Sequence, residues 1–189
     1  IVLDEIPTTQ SDAPLLFAGD LSRDKGVQVL LDAYRQLDSP PRLVLAGRNP
    51  TPDAWDYPPG ASWAGELLHH EVVELFRSAR AVIVPSVWAD PCPTVVLEAM
   101  AAGRPVVAAA SGGILDMVVD GRTGLLVPPG DADALAKALA SLLSDPDAAR
   151  AFGIAGRDRA REFTVGTVVE RIERMYDEAI RHEKASARG

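Results

Sequence analysis

Short apolar runs alternate with longer amphipathic stretches along the chain. Leu15-Leu16-Phe17-Ala18 stops at Gly19, Arg42 to Ala46 at Gly47, Ser62 to Ala64 at Gly65, and Ala81 to Val84 at Pro85; Pro105 to Ala108 and Gly124 to Val127 follow the same form. Runs of about four consecutive apolar residues are what strands covered on both faces require. Between them, Val27, Leu30, Leu31, Tyr34 and Leu37 recur at helical spacing, and Val72, Val73, Leu75 and Phe76 mark another helix. Thr94 to Ala102 predicts a short helix closed by Gly103. Ser111-Gly112-Gly113 is a turn leading to a short helix that ends at Val119. Asp131 caps a helix carrying Leu135, Ala138, Leu139 and Leu142, Asp145-Pro146 interrupts, and a further helix runs from about Asp147 to Glu162. Thr164 caps a last helix with Val168, Ile172, Met175 and Ala179 on one face, and the polar tail after Arg181 is expected to fray.

Strands alternating with helices imply repeated βαβ units and a parallel sheet. The expected fold is α/β: a Rossmann-like, three-layer α/β/α domain with a mostly parallel sheet. Its bounds are residues 15–163. Residues 1–14, with Pro7, Thr8, Thr9, Ser11 and Pro14, read as a linker, and 164–189 as a terminal helix and tail. The chain opens at Ile1 without a methionine, so it is expected to be a piece of a longer protein.

Composition narrows the chemistry. The 189 residues are 47% hydrophobic, enough for a core. Nineteen lysines and arginines stand against 27 acids, a net charge of −8 without any basic block, which excludes a general nucleic-acid binder. A single phosphate group needs only one or two placed cations and helix amides, so phosphate binding stays open. Cys92 is the lone cysteine, which excludes an internal disulfide or a cysteine-rich zinc site and fits a reducing compartment such as the cytoplasm. No apolar run approaches the ~18 residues of a membrane span, and no signal-peptide pattern is visible.

In open α/β sheets, ligands bind beyond the carboxyl ends of the strands. The loops leaving those ends are Gly19–Lys25, Gly47–Pro50, Gly65–Leu67, Pro85–Pro93 and Ala110–Gly113. In Gly19-Asp20-Leu21-Ser22-Arg23-Asp24-Lys25-Gly26 a glycine ends the strand and two cations follow, with Lys25 expected at a helix start, where free N–H groups and the helix dipole favour an anion. Neither a Walker loop nor a G-x-G-x-x-G turn is present, and a solvated turn is the competing reading. The stretch from Asp90 to Glu98 places one acid on a loop and a second about one turn inside an otherwise apolar helix, whose start offers the N–H groups of Thr94 and Val95. A glutamate in such a helix needs a partner. Carboxylates suit vicinal hydroxyls, so a ligand with hydroxyls on both sides of a phosphate fits this segment. His69 and His70, near Glu66 and Glu74, read as an exposed helix-start pair rather than a metal site. Trp55, Trp63 and Trp88 read as packing residues, Cys92 as a small loop residue, and the arginines from Arg150 to Arg174 as solvated helix faces.

These pieces occur in a telling order: the Gly-x5-Lys-Gly turn, Ser78-Ala79 leading to Val84-Pro85-Ser86, Asp90-x7-Glu98, Glu98-Ala99-Met100-Ala101-Ala102-Gly103-Arg104-Pro105-Val106-Val107, Gly112-Gly113-Ile114, and Asp120-Gly121-Arg122-Thr123-Gly124 through Asp131. From Leu15 to about Leu143 the chain resembles the donor-binding C-terminal domain of the GT-B glycosyltransferases, specifically the large retaining family 4 (group 1). The resemblance implies a hexosyltransferase-type enzyme that uses a UDP-, GDP- or ADP-sugar. It implies that Lys25 and Asp90 are catalytic. Gly19, Arg23, Lys25, Thr94 and Val95 meet the donor diphosphate, Glu98 the ribose, and Asp90, Pro91, Cys92 and Pro93 the sugar. Gly65, Glu66, Leu67, Pro85 and Ser86 border the base.

It further implies no metal or other cofactor, since a cation and a helix N-terminus carry the charge of the leaving diphosphate. A missing N-terminal acceptor domain would precede Ile1, with any peripheral membrane contact made through that half. The last helix, over Val165–Ile180, would cross back to it, and this half alone would bind donor without transferring sugar. Two positions depart from the pattern. Asp20 stands where arginine is common, and is repulsive to a diphosphate unless it points away; Asp90 stands where glutamate is usual. They favour one alternative, a non-catalytic nucleotide-sugar-binding domain. A GT-B sugar-nucleotide epimerase or phosphorylase is the other.

Overall fold

The computed structural model describes residue 10 and residues 12–186, with side chains as far as Arg181. The linker residues Pro7, Thr8, Thr9 and Ser11 and the last three residues of the tail lie outside the described residues. Within them, six strands form one sheet: β1 (Leu15–Ala18), β2 (Leu43–Ala46), β3 (Ala61–Gly65), β4 (Ala81–Val84), β5 (Val106–Ala109) and β6 (Gly124–Val127). Their order is β3-β2-β1-β4-β5-β6 and every pairing is parallel. Seven α-helices accompany them among the described residues: α1 (Val27–Arg35), α2 (His69–Ser78), α3 (Thr94–Ala101), α4 (Ile114–Met117), α5 (Ala132–Ser144), α6 (Pro146–Ala160) and α7 (Val165–Ser186).

The unbroken apolar runs follow from burial on both faces. Successive side chains of a strand point to opposite sides, so Leu15, Phe17, Leu43, Leu45, Ala81, Ile83 and Val107 face α1 and α5. Leu16, Ala46, Val82, Val84, Val106 and Ala108 face α2, α3, α4 and the end of α6. Each large aliphatic side chain sealed this way contributes roughly 1.5–3 kcal/mol against the cost of ordering the chain. The edge strand β3 is the exception: Ser62, Trp63 and Ala64 are exposed.

Several boundaries differ from expectation for local reasons. Ala13 and Pro14 are buried, and the Pro14 carbonyl accepts from the Arg80 N–H at 2.7 Å, so these last linker residues belong to the body. Asp131 and Asp145 cap α5 and α6 through the N–H groups of Ala134 and Ala148, at 2.8 and 2.9 Å. Helix α7 continues through Arg181 to Ser186. Of the three tryptophans, only Trp55 packs inside; Trp63 is 40% exposed and Trp88 62% exposed. Both stand on the carboxyl edge of the sheet or its open flank, where no helix of the described residues covers them.

Helix α1 begins at Val27, two residues later than Lys25, because Gly26 adopts φ 74° and ends a turn that starts at Ser22. That left-handed turn brings the backbone against β4's exit, where a Cβ on Gly26 would stand 1.9 Å from the Pro85 carbonyl oxygen. Gly26→Ala is therefore expected to lower stability by roughly 1–3 kcal/mol through combined strain and clash. A leftward shift of the denaturant midpoint checks it; an unchanged midpoint would contradict the packing described.

Candidate functional site

A wholly parallel sheet delivers the carboxyl ends of all its strands to one edge. The strand order reverses between β1 and β4, so the helices that follow these two strands leave on opposite faces and open a crevice between their loops. The loops are stitched across it. The Asp24 carbonyl accepts from the N–H groups of Val87 and Trp88, at 3.0 and 3.2 Å, and from Ser86 Oγ at 3.3 Å.

The stitching brings Lys25 to Asp90. Lys25 Nζ donates to Asp90 Oδ2 at 2.7 Å, while Asp90 Oδ1 accepts from the Cys92 N–H at 3.1 Å. The Asp90 carbonyl accepts from the Gly113 N–H at 2.8 Å, and Ser111 Oγ donates to the Trp88 carbonyl at 3.1 Å, which anchors the loop on β5's exit. Lys25 thus does not aim its charge along the start of α1; its own N–H donates to Ser22 Oγ at 3.2 Å. Its side chain is spent on an acid 65 residues away in sequence.

Helix α3 starts beside this pair. Pro93 precedes it without an N–H, its carbonyl accepts from Val96 at 3.0 Å, and the N–H groups of Thr94 and Val95 meet no protein acceptor among the described residues. Thr94 is exposed and Val95 partly so. On the side of α3 towards β2 lies an open cavity of about 440 Å³ lined by Gly19, Asp20, Arg48, Glu66, Val95 and Glu98, with Gly47 and Leu67 at its wall. Glu98 is half-buried in it, and its carboxylate has neither hydrogen bond nor ion pair among the described residues.

The other expected site residues fall in different places. Gly65 closes β3 next to the cavity wall formed by Glu66 and Leu67. Pro85 and Ser86 are buried beneath the Gly26 turn, outside that cavity. Arg23 is exposed and does not line it either, and Lys25, Asp90 and Thr94 also stand outside its lining. Pro91 and Cys92 are exposed on the Asp90 loop, and Pro93 is buried. His69 and His70 open α2 on the surface, and no group of three or more His, Cys, Asp or Glu residues is arranged for a metal ion among the described residues. One residue went unanticipated: Arg48 pairs with Asp20, Nη2 to Oδ2 at 2.5 Å. An arginine directly after the glycine that ends a strand marks a cation at the carboxyl edge, but not its partner.

The Lys25 ammonium holds the Asp90 carboxyl below its ordinary range, partly opposed by desolvation. A depressed folded-state pKa stabilises above the unfolded value, here near 3.8, and the contribution fades as pH falls through the lower folded value. With Lys25 at 37% side-chain exposure the pair is worth at most about 1 kcal/mol. Asp90→Asn is expected to lower stability slightly at neutral pH and to converge on the wild type below the carboxylate range. Urea melts across that window check it, and a gap that widens on acidification would refute the pairing.

Comparison with known proteins bears on the family and the fold. The model of the family described as glycosyl transferases group 1 matches residues 4–159. The alpha-maltose-1-phosphate synthase of Mycolicibacterium smegmatis is 36% identical over 195 residues, covering 93% of this chain and 50% of the relative. The glycogen synthase of Mycobacterium tuberculosis is 33% identical, covering 91% of this chain and 44% of the relative. The structure of sucrose-phosphate synthase from Thermosynechococcus elongatus superposes with a TM-score of 0.79 at 30% identity, over 91% of this chain and 46% of that one. Anabaena HepE in complex with UDP-glucose superposes at 0.77 and 23% identity, over 92% of this chain and 54% of that one, which shows a shared fold. The chain spans about half the length of the relatives it matches. By sequence and by fold, it belongs to the group 1 glycosyl transferases, with a Rossmann-like domain of the GT-B type.

Proposed function

We propose that this chain is the donor-binding half of a retaining glycosyltransferase that takes a nucleoside-diphosphate sugar. One observation carries the reading: Glu98 stands half-buried and unpartnered in an apolar helix, lining the same cavity as Val95 at the helix's open N–H end. An acid left without a protein partner there is stabilised by a ligand's hydroxyls, and the helix start by its anion. In this reading Glu98 takes the two ribose hydroxyls and the N–H groups of Thr94 and Val95 take the β-phosphate. Gly65, Glu66 and Leu67 border the base. Donor binding transfers Lys25 from Asp90 to the diphosphate, which leaves Asp90 to meet the sugar.

The chemistry follows from charge. As the glycosidic bond to the diphosphate breaks, negative charge grows on the leaving oxygens and positive charge on the sugar ring. Lys25, once moved to the diphosphate, and the α3 amides stabilise the first, and the Asp90 carboxylate so released stabilises the second. This division of labour calls for no metal. The acceptor site belongs to a preceding domain, reached through residues 1–14. Helix α7 returns to that domain, and its Val165, Ile172, Met175 and Tyr176 are exposed for it. The anionic chain, its single cysteine, and the absence among the described residues of a helix long and apolar enough to cross a membrane are compatible with the cytoplasm, the compartment we assign.

Calorimetric titration of the folded protein with UDP-, GDP- and ADP-glucose tests the reading, with binding of at least one expected. Glu98→Ala is expected to weaken that binding about tenfold or more, the worth of charge-assisted hydrogen bonds, without changing the melting temperature by more than a surface substitution does. Silence with all three donors, or an unchanged affinity in Glu98→Ala, would refute it. Product analysis with the full-length protein separates sugar transfer from epimerisation or phosphorolysis.

A further inference from the structure

A cation faces the donor cavity from a strand that none of the recognised motifs includes. Asp20 brings a negative charge to the cavity rim, at the position where the resembled domains commonly carry arginine. Arg48, directly after Gly47 at the exit of β2, reaches over and donates from Nη2 to Asp20 Oδ2 at 2.5 Å. The backbone fixes where both side chains begin. The Gly19 N–H donates to the Ala46 carbonyl at 2.9 Å and the Leu21 N–H to the Arg48 carbonyl at 2.8 Å. A Cβ on Gly47 would stand 2.1 Å from the Gly19 carbonyl oxygen, so the two loops touch with no room between them. Asp20 and Arg48 both line the cavity shared with Val95 and Glu98, and Glu66 is the other acid on this face.

A guanidinium carries five N–H donors in a planar fork. The bond to Asp20 uses one nitrogen, and the Arg48 side chain keeps 65% of its exposure, so donors remain on the solvent side of the pair. An unpaired Asp20 would repel a diphosphate; the pair cancels that charge and holds the fork at the rim. Neither Arg23 nor Lys25 lines that cavity, so Arg48 is the cation that does.

The geometry points to Arg48 as the second cation of the donor diphosphate site, delivered from β2 and positioned by Asp20, in place of an arginine on the β1 loop. This deepens the nucleotide-sugar reading above and rests on it. Asp20 acts through Arg48 and is a positioning residue; Arg48 meets the phosphate oxygens.

The test is calorimetric titration of the full-length protein with UDP, GDP and ADP at low and high salt. For the diphosphate that the wild type binds, Arg48→Gln is expected to lose roughly tenfold or more in affinity and to flatten the salt dependence, as loss of one charge-assisted contact requires. Arg48→Lys keeps the charge and retains part of the affinity. Arg48→Asp loses more than Arg48→Gln, and the exchanged pair Asp20→Arg with Arg48→Asp recovers most of the loss, because the cation then stands on the β1 loop. A merely structural tie between the loops would lower the melting temperature of Arg48→Gln and leave affinity and salt slope alone, and that result overturns the proposal. So does an exchanged pair that melts like the wild type and binds no better than Arg48→Asp. A wild-type protein that binds none of the three diphosphates overturns the nucleotide-sugar reading itself, whereas intact binding with an indifferent Arg48→Gln removes Arg48 alone.

Discussion

The contact between the β1 and β4 loops governs the working edge of this molecule. Two strands that are neighbours in the sheet send their helices to opposite faces, and only their loops remain to meet across the crevice. One carbonyl, that of Asp24, holds three groups of the β4 loop. The Gly26 turn lies against Pro85 with no space for a side chain. Lys25 and Asp90 are then placed at hydrogen-bond distance across 65 residues of sequence. Helix α3 starts four residues after Asp90, so its open amides inherit their position from the same contact.

Electrostatically the edge is built from pairs. The chain is acidic overall, yet each cation that matters at this edge is held by an acid from another loop: Lys25 by Asp90 and Arg48 by Asp20. Such pairs keep the cations oriented while contributing little to stability at this exposure. Glu98 breaks the pattern. It is the one charged residue of α3, half-buried and unsupported among the described residues. In the proposed function its carboxylate takes a ligand's hydroxyls, the role that an acid without a protein partner beside the cavity is free to fill.

Much of the fold was legible because its strands are buried on both faces. Leu15–Ala18, Ala81–Val84 and Gly124–Val127 carry no polar residue, and no surface strand or loop would hold such runs. The acids that cap α5 and α6 could be read for a similar reason, since a cap acts within three residues of itself. What sequence could not supply was contact between distant segments. The Lys25–Asp90 and Asp20–Arg48 pairs span 65 and 28 residues, and no local spacing encodes either. The burial of Ser86, the exposure of Trp88 and the late start of α1 are all products of the loops meeting, which periodicity within one segment does not report. Arg104 is the plainest case: an arginine 1% exposed, donating to the Arg77 carbonyl, looks in sequence like an ordinary surface cation after a helix.

Helix α7 has 22 residues and an extent of about 33 Å at the usual rise. Every side chain described from Glu170 onward is exposed, so beyond its first turns this helix shares almost nothing with the core that seals the sheet. A single chain thereby holds two regimes of amide exchange. Amides of the buried strands exchange only through openings that expose a core, whereas those of α7 are open to exchange by fraying turn by turn. Whatever comes to rest on that helix raises its protection factors without touching those of the sheet, and so leaves a footprint confined to the last residues of the chain.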